Sequence, residues 1–226
     1  MRERPVSLLE WAYNEIKQQL FIGKLQPGEK IIVGQLAESL SISPTPVKEA
    51  LNRLVAEGLM ITLPRRGFMV KQLTMKEIHD IMNCRIMLEV FAVKQAVHNF
   101  PKHPEIKKNM LDVLKKLENI QTHDYVEATQ LEQVYHGAFI QLTENQKLIE
   151  LYNMLFGVGF AFYVYSSSNH PMERHRIALN EHKLMYEYLE KGNSDALEKL
   201  LRTHLEKTME FYETFLPAFA LDGEQA

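Results

Sequence analysis

This sequence predicts a mainly α-helical chain in two parts. An N-terminal helix-turn-helix with a small β-wing comes first, and an all-α bundle of about six helices follows. Three observations carry the prediction. Two prolines one residue apart open a strongly helical run at residues 43–57, SPTPVKEALNRLVAE. Two short apolar segments flank Pro64-Arg65-Arg66-Gly67. Beyond Thr74 the apolar residues keep helical spacing between widely separated breaks, and no strand partner presents itself.

The first helix opens at Ser7, whose spacing to Glu10 is that of a capping box, and Leu8, Ala12, Ile16 and Leu20 then recur every fourth residue until a stop near Gly23. GKLQPGEKI reads as a turn on Pro27-Gly28, and residues 33–40 form a short helix with Leu36, Ala37 and Leu40 inward. The next helix begins at Ser43 as N-cap. That places Pro44 at the first helical position and Pro46 at the third, where a backbone N–H has no intrahelical acceptor and its absence costs nothing. The rings fix the start of the helix, and Val47, Ala50, Leu51 and Leu54 carry it to Gly58. Thr45, Pro46, Lys48, Asn52 and Arg53 lie on or beside its polar side, in the position from which a second helix reads base edges in the major groove. Segments 59–63 and 68–70 pair as a β-hairpin whose tip carries Arg65, Arg66 and Gly67. An arginine at such a tip reaches a phosphate or the minor groove.

GKLQPGEKIIVGQLAESLSISPTPVKEALNRLVAEGLMITLPRRGFMV resembles the winged helix-turn-helix of GntR-family bacterial transcription regulators. The resemblance implies a double-stranded DNA operator, palindromic and read by a homodimer. Family members commonly carry arginine where this chain has Pro44 and Lys48; lysine still contacts a phosphate or guanine, as a point charge without the bidentate fork.

The domain layout follows: residues 1–70 for DNA binding, 71–74 as linker, and 75–220 as a helical domain opened by the Thr74–Glu77 capping-box spacing. Its helices are expected at 75–99, 104–121, 124–143, 146–167, 171–191 and 195–216. GVGFAFYVY at 157–165 has strand propensity, yet without a partner strand in a helical series it reads as a buried helix.

Of nine histidines, three fall on inward stripes. Glu132 and His136 are four residues apart and share a helix face; His182 follows the stripe of Leu179, Met185 and Leu189; His204 follows that of Leu197, Leu201 and Phe211. His79, His98, His103, His123, His170 and His175 sit near helix ends or breaks and read as surface. The pattern of three inward histidines with an E-x-x-x-H pair resembles the FCD effector domain of the FadR-like branch of GntR regulators. The resemblance implies a divalent metal held by Glu132 (in place of the usual aspartate), His136, His182 and His204, and a small carboxylate effector. Glutamate at 132 ligates, binds in another mode, or leaves a three-histidine site. Three imidazoles and an oxygen suit Zn²⁺, Ni²⁺ or Mn²⁺. Arg85, within CRIMLE, is open to two readings, a contact to the effector carboxylate or an i,i+4 ion pair with Glu89.

Composition bounds the rest. The chain has 226 residues, 46% hydrophobic and 24% charged, and a net charge of -3. Residues 1–70 hold nine Lys/Arg against seven Asp/Glu, and the remainder 17 against 22, so the basic end is the N-terminal one. No continuous apolar region marks a signal peptide, and the longest apolar run, 154–165, is too short to cross a bilayer, which points to the cytoplasm and away from membranes. Cys84 is the single cysteine and forms no internal disulfide. Three functions accommodate the histidines: a regulator sensing a metal-bound carboxylate, a direct metal sensor, or a metal-dependent hydrolase or lyase with an accessory winged domain. No nucleophile elbow or positioned acid/base pair accompanies them, and the expectation is a regulator, not an enzyme.

Overall fold

Helix and strand boundaries follow from local chemistry in most of the chain. In the computed structural model, which describes residues 7–121, 124–167 and 172–215, α1 (Leu8–Phe21) starts at Ser7, whose side chain accepts the Glu10 N–H at 3.1 Å. β1 (Lys30–Ile31), α2 (Val33–Ser39), α3 (Pro44–Ala56), β2 (Met60–Leu63) and β3 (Gly67–Val70) complete the N-terminal part. Ser43 is the N-cap residue of α3 but makes no side-chain capping bond. The reason is Pro46: the third helical residue usually donates to the cap, and proline has no N–H to give. The proline rings alone hold this helix start.

The hairpin expected at the wing is part of a three-stranded antiparallel sheet in the order β1-β3-β2. β1 lies against β3 with Lys30 opposite Met69 and Ile31 opposite Phe68. Reading residues 23–31 as turn alone is thereby corrected. A two-residue strand is too short to show a period of two, and its partner lies far along the chain. Ala12, Ile16, Val47, Ala50, Leu51 and Leu54 are all fully buried and form the core between α1 and α3, with Phe68 and Val70 closing it from the sheet.

α4 (Met75–Asn99) opens with a complete capping box, since Thr74 accepts the Glu77 N–H and Glu77 accepts the Thr74 N–H. A short 3₁₀ turn (Phe100–Lys102) leads to α5 (Pro104–Asn119), α6 (Tyr125–Gln141), α7 (Gln146–Ser167), α8 (Met172–Lys191) and α9 (Ser194–Phe215). α7 stays helical through the glycine- and aromatic-rich stretch at 157–165. α4 packs against α6, α7 and α9 and is central to the bundle. Leu73, from the segment joining sheet to bundle, is buried in the bundle core, while the Lys71 backbone donates to Leu59 and its side chain pairs with Glu77 at 2.7 Å. The joining segment is thus tied at both ends. Phe21 of α1 packs against both hydrophobic cores, where α1 touches α7.

Candidate metal centre and nucleic-acid interface

On the first turns of α3, Thr45, Lys48 and Asn52 are exposed and Pro46 is half-buried. Arg65 and Arg66 are exposed at the tip of the β2–β3 hairpin, Arg65 in the left-handed region with φ 60°. Gly67 stands apart from these. Its φ is 93°, and a Cβ here would lie 2.6 Å from the Ile31 carbonyl oxygen, so glycine is demanded by the approach of β1. Arg53 is exposed but lies against α1. Its guanidinium lies 3.8 Å from the centroid of the Tyr13 ring and pairs with Glu10 at 3.0 Å and Glu57 at 3.4 Å. These contacts tie α3 to α1.

In the bundle, Glu132 and His136 come from α6, His182 from α8 and His204 from α9, and one ligand atom of each lies within 4.8 Å of all the others. His136 Nε2 is 3.2 Å from His182 Nε2, which is 3.3 Å from His204 Nε2. Glu132 Oε2 is 3.7 Å from His136 Nε2 and 3.4 Å from His182 Nε2. The three histidines are buried while the Glu132 side chain remains 27% exposed, so the carboxylate closes the cluster on its solvent side.

Carboxylates behind two of the rings set their chemistry. Glu89 Oε2 meets His136 Nδ1 at 2.6 Å, and Glu181 Oε2 meets His204 Nδ1 at 2.7 Å. Burial alone pushes the Glu89 carboxyl up, but the facing His136 imidazole and the Arg85 guanidinium outweigh it and bring it to about 2. An ionised carboxylate only accepts, so each Nδ1 donates, and in the neutral ring the Nε2 lone pair is left facing the cluster. Tyr135 supports the third ring, donating its hydroxyl to the His182 carbonyl oxygen at 2.6 Å, and burial holds that hydroxyl well above its ordinary value and protonated.

The donor set fits a transition cation. Lone pairs this close repel unless a proton or cation lies among them, and a tetrahedral ion with imidazole bonds near 2.05 Å spaces its nitrogens by about 3.3 Å. The histidine separations are of that size. Carboxylates on the far side of ligating imidazoles are the usual outer partners of such a centre.

Two family models match the chain: bacterial regulatory proteins of the gntR family at residues 8–70, and the FCD domain at residues 80–207. The chain belongs to the GntR family of bacterial regulatory proteins. It is similar to the transcriptional regulator McbR of Escherichia coli, 32% identical over 184 residues that cover 80% of this chain and 81% of that one. The uncharacterized regulator YdhC of Bacillus subtilis is 29% identical over 206 residues, covering 89% of each chain. In fold, E. coli McbR/YncC superimposes with a TM-score of 0.77 over 92% of this chain and 98% of that one at 24% identity. A GntR regulator from Rhodococcus sp. RHA1 superimposes with a TM-score of 0.78 over 91% and 97% at 19% identity. As a GntR member with an FCD domain, the chain is a DNA-binding transcription regulator, and the hydrolase or lyase reading falls away. Among the described residues, no helix is long and apolar enough to cross a membrane.

Arg85 is buried and makes the i,i+4 pair with Glu89 at 2.6 Å. Glu181, and the contact of Glu89 with His136, escaped sequence reasoning. For Glu89 a signal existed, because Arg85 and Glu89 interrupt a stripe that is otherwise apolar at Ile78, Met82, Ala92 and Ala96. Glu181, adjacent to His182, offered none. The other histidines serve elsewhere: His79 pairs with Glu213, His103 with Glu105 and Glu144, and His175 contacts the Leu117 carbonyl. His123 and His170 lie outside the described residues.

Proposed function

We propose that this regulator is a cytoplasmic homodimer on a palindromic operator, with residues 1–70 binding DNA, 71–74 as linker and 75–220 sensing and dimerising. The helical domain holds a divalent transition ion, Zn²⁺, Ni²⁺ or Mn²⁺, on His136, His182, His204 and Glu132, and the ion takes a small carboxylate effector that modulates operator binding. The observation that carries this reading is the convergence of three Nε2 atoms with a carboxylate oxygen, backed by carboxylates that turn two of the lone pairs inward. A bound ion supplies a Lewis-acidic centre for the effector's oxygens; the protein orients the imidazoles and keeps them dry. Arg85 enters as the cation behind Glu89.

The dimer reading is supported by an apolar face. Met87 and Phe91 on α4 and Leu151 and Met154 on α7 are exposed, 63%, 72%, 45% and 50%, and Phe91 and Leu148 line one groove between these adjacent helices. A second copy related by a two-fold axis covers that face with its own. Phe91→Asp is expected to convert a sedimenting dimer to monomer.

The central test measures metal content after purification, then operator affinity with and without chelator and across a panel of mono- and dicarboxylates. One ion per chain, with a carboxylate effect that chelation abolishes, is expected. A metal effect with no response to any carboxylate makes the ion itself the signal. Purified chain that takes up no stoichiometric ion ends the proposal.

A further inference from the structure

The four proposed ligands all lie on α6, α8 and α9, yet the helix that continues from the wing is α4. α4 meets the cluster at a fully buried carboxylate, Glu89. Glu89 Oε2 receives the His136 Nδ1 proton at 2.6 Å, and Glu89 Oε1 receives the Arg85 Nε proton at 2.6 Å. Arg85 in turn lies with its guanidinium carbon 5.5 Å from the centroid of Phe156 on α7. α7 is the bundle helix that touches α1 of the winged part. The chain Arg85–Glu89–His136 therefore joins the cluster to α4, which continues from the wing, and to α7, which touches α1. Glu181 provides the internal contrast. It does the same for His204, but it sits on α8 beside His182, pairs with Lys207 of α9 at 3.1 Å and is 12% exposed, so these contacts join the ligand helices α8 and α9.

We infer that Glu89 is a positioning residue for the metal centre and the contact through which α4 registers whether the ion is bound. The inference rests on the metal reading above. Glu89 holds the His136 ring in the tautomer and rotation that turn Nε2 inward. When Nε2 donates its lone pair to a cation, the Nδ1–H becomes more acidic and its bond to Glu89 strengthens, which tightens α4 on α6. Glu181 tunes affinity in the same way without reporting to α4.

The experiment compares the full-length chain with Glu89→Gln and Glu181→Gln. Zn²⁺ affinity is read by competition with a chromophoric chelator, and hydrogen exchange across residues 78–96 is read with and without Zn²⁺. Gln has the shape of Glu but brings a neutral acceptor, so each variant is expected to bind one Zn²⁺ per chain about 10- to 100-fold more weakly, as loss of an outer partner does. With Zn²⁺ at saturation, slowed exchange in α4 is expected in the wild type and in Glu181→Gln and is lost in Glu89→Gln. A role in folding alone would not make the Zn²⁺-dependent part of the exchange disappear. If Glu89→Gln does not fold because Arg85 is left uncompensated, the neutral pair Arg85→Met with Glu89→Gln replaces it, with the same expectation. Wild-type Zn²⁺ affinity, or undiminished Zn²⁺-dependent protection of α4, in the Glu89 variant overturns the inference while leaving the metal centre intact. A wild-type chain that binds no Zn²⁺ removes the metal reading itself, and this inference with it.

Discussion

His182 Nε2 is 3.2 Å from His136 Nε2, 3.3 Å from His204 Nε2 and 3.4 Å from Glu132 Oε2, and this place beside all three other donors sets an order among the proposed ligands. Its loss removes the donor that adjoins all the others, so His182→Ala is expected to abolish stoichiometric metal. The Glu132 side chain is 27% exposed where the histidines are buried, so Glu132→Ala is expected to weaken binding less than removal of any histidine. Metal analysis with calorimetry on the four single variants checks the order, and tight one-to-one binding by His182→Ala would refute it. A second residue-scale prediction concerns Glu57, whose carboxylate accepts from the Tyr13 hydroxyl at 2.8 Å and from Lys17 at 2.9 Å. Burial pushes this carboxyl up, but the hydrogen bonds from Lys17 and Tyr13, with the Lys17 and Arg53 charges, bring it below its ordinary value. A depressed carboxyl stabilises the fold fully above the unfolded-state value near ~4.3, and the benefit fades as pH falls through the lower folded value. The stability gap between wild type and Glu57→Gln should therefore be constant above pH ~5 and close in acid. A gap that widens in acid contradicts the assignment.

Among the helices, two N-termini that look alike in sequence are built differently. Thr74 and Glu77 exchange bonds at the start of α4, and Thr74→Ala is expected to cost about 1 kcal/mol. Ser43 makes no capping bond because Pro46 leaves no N–H to donate, and Ser43→Ala is expected to change stability by less than about 0.5 kcal/mol. Urea unfolding of both variants separates the cases, and equal losses would mean that Ser43 caps α3 after all. The wing obeys similar local rules, with the strand partner of β3 leaving no room for a side chain at Gly67.

For the whole molecule, the proposed DNA face is the product of two elements, α3 and the β2–β3 tip, held together by the core that α1 and α3 share with the sheet. Lys48 and Arg66 are exposed at its two ends, and each phosphate contact releases about one counterion. Lys48→Ala and Arg66→Ala are expected to weaken operator binding and to flatten the log–log salt dependence by roughly one unit each, with folding intact. Titrations at several salt concentrations decide it; an unchanged slope takes the residue out of the interface. Arg53→Ala should behave differently, because its partners are Tyr13, Glu10 and Glu57. Its loss is expected to loosen α1 from α3 and to lower thermal stability before it touches the salt slope.

By itself the sequence determined whatever depends on neighbours a few residues apart. The proline-started α3, the capping box of α4, the helical breaks and the shared face of Glu132 and His136 all follow from backbone rules of that range. Arg85 and Glu89 also stood in view as an i,i+4 pair. Only the tertiary structure decided what lies at the far end of each of these. Glu89 meets His136 across 47 residues and Glu181 meets His204 across 23, distances at which sequence spacing carries no geometry. β1 needed β3 to become a strand, and Arg53 needed the Tyr13 ring, 40 residues earlier, to stack on. In each case packing brought together side chains that no local period relates, and it was packing that aimed the imidazole lone pairs at one point.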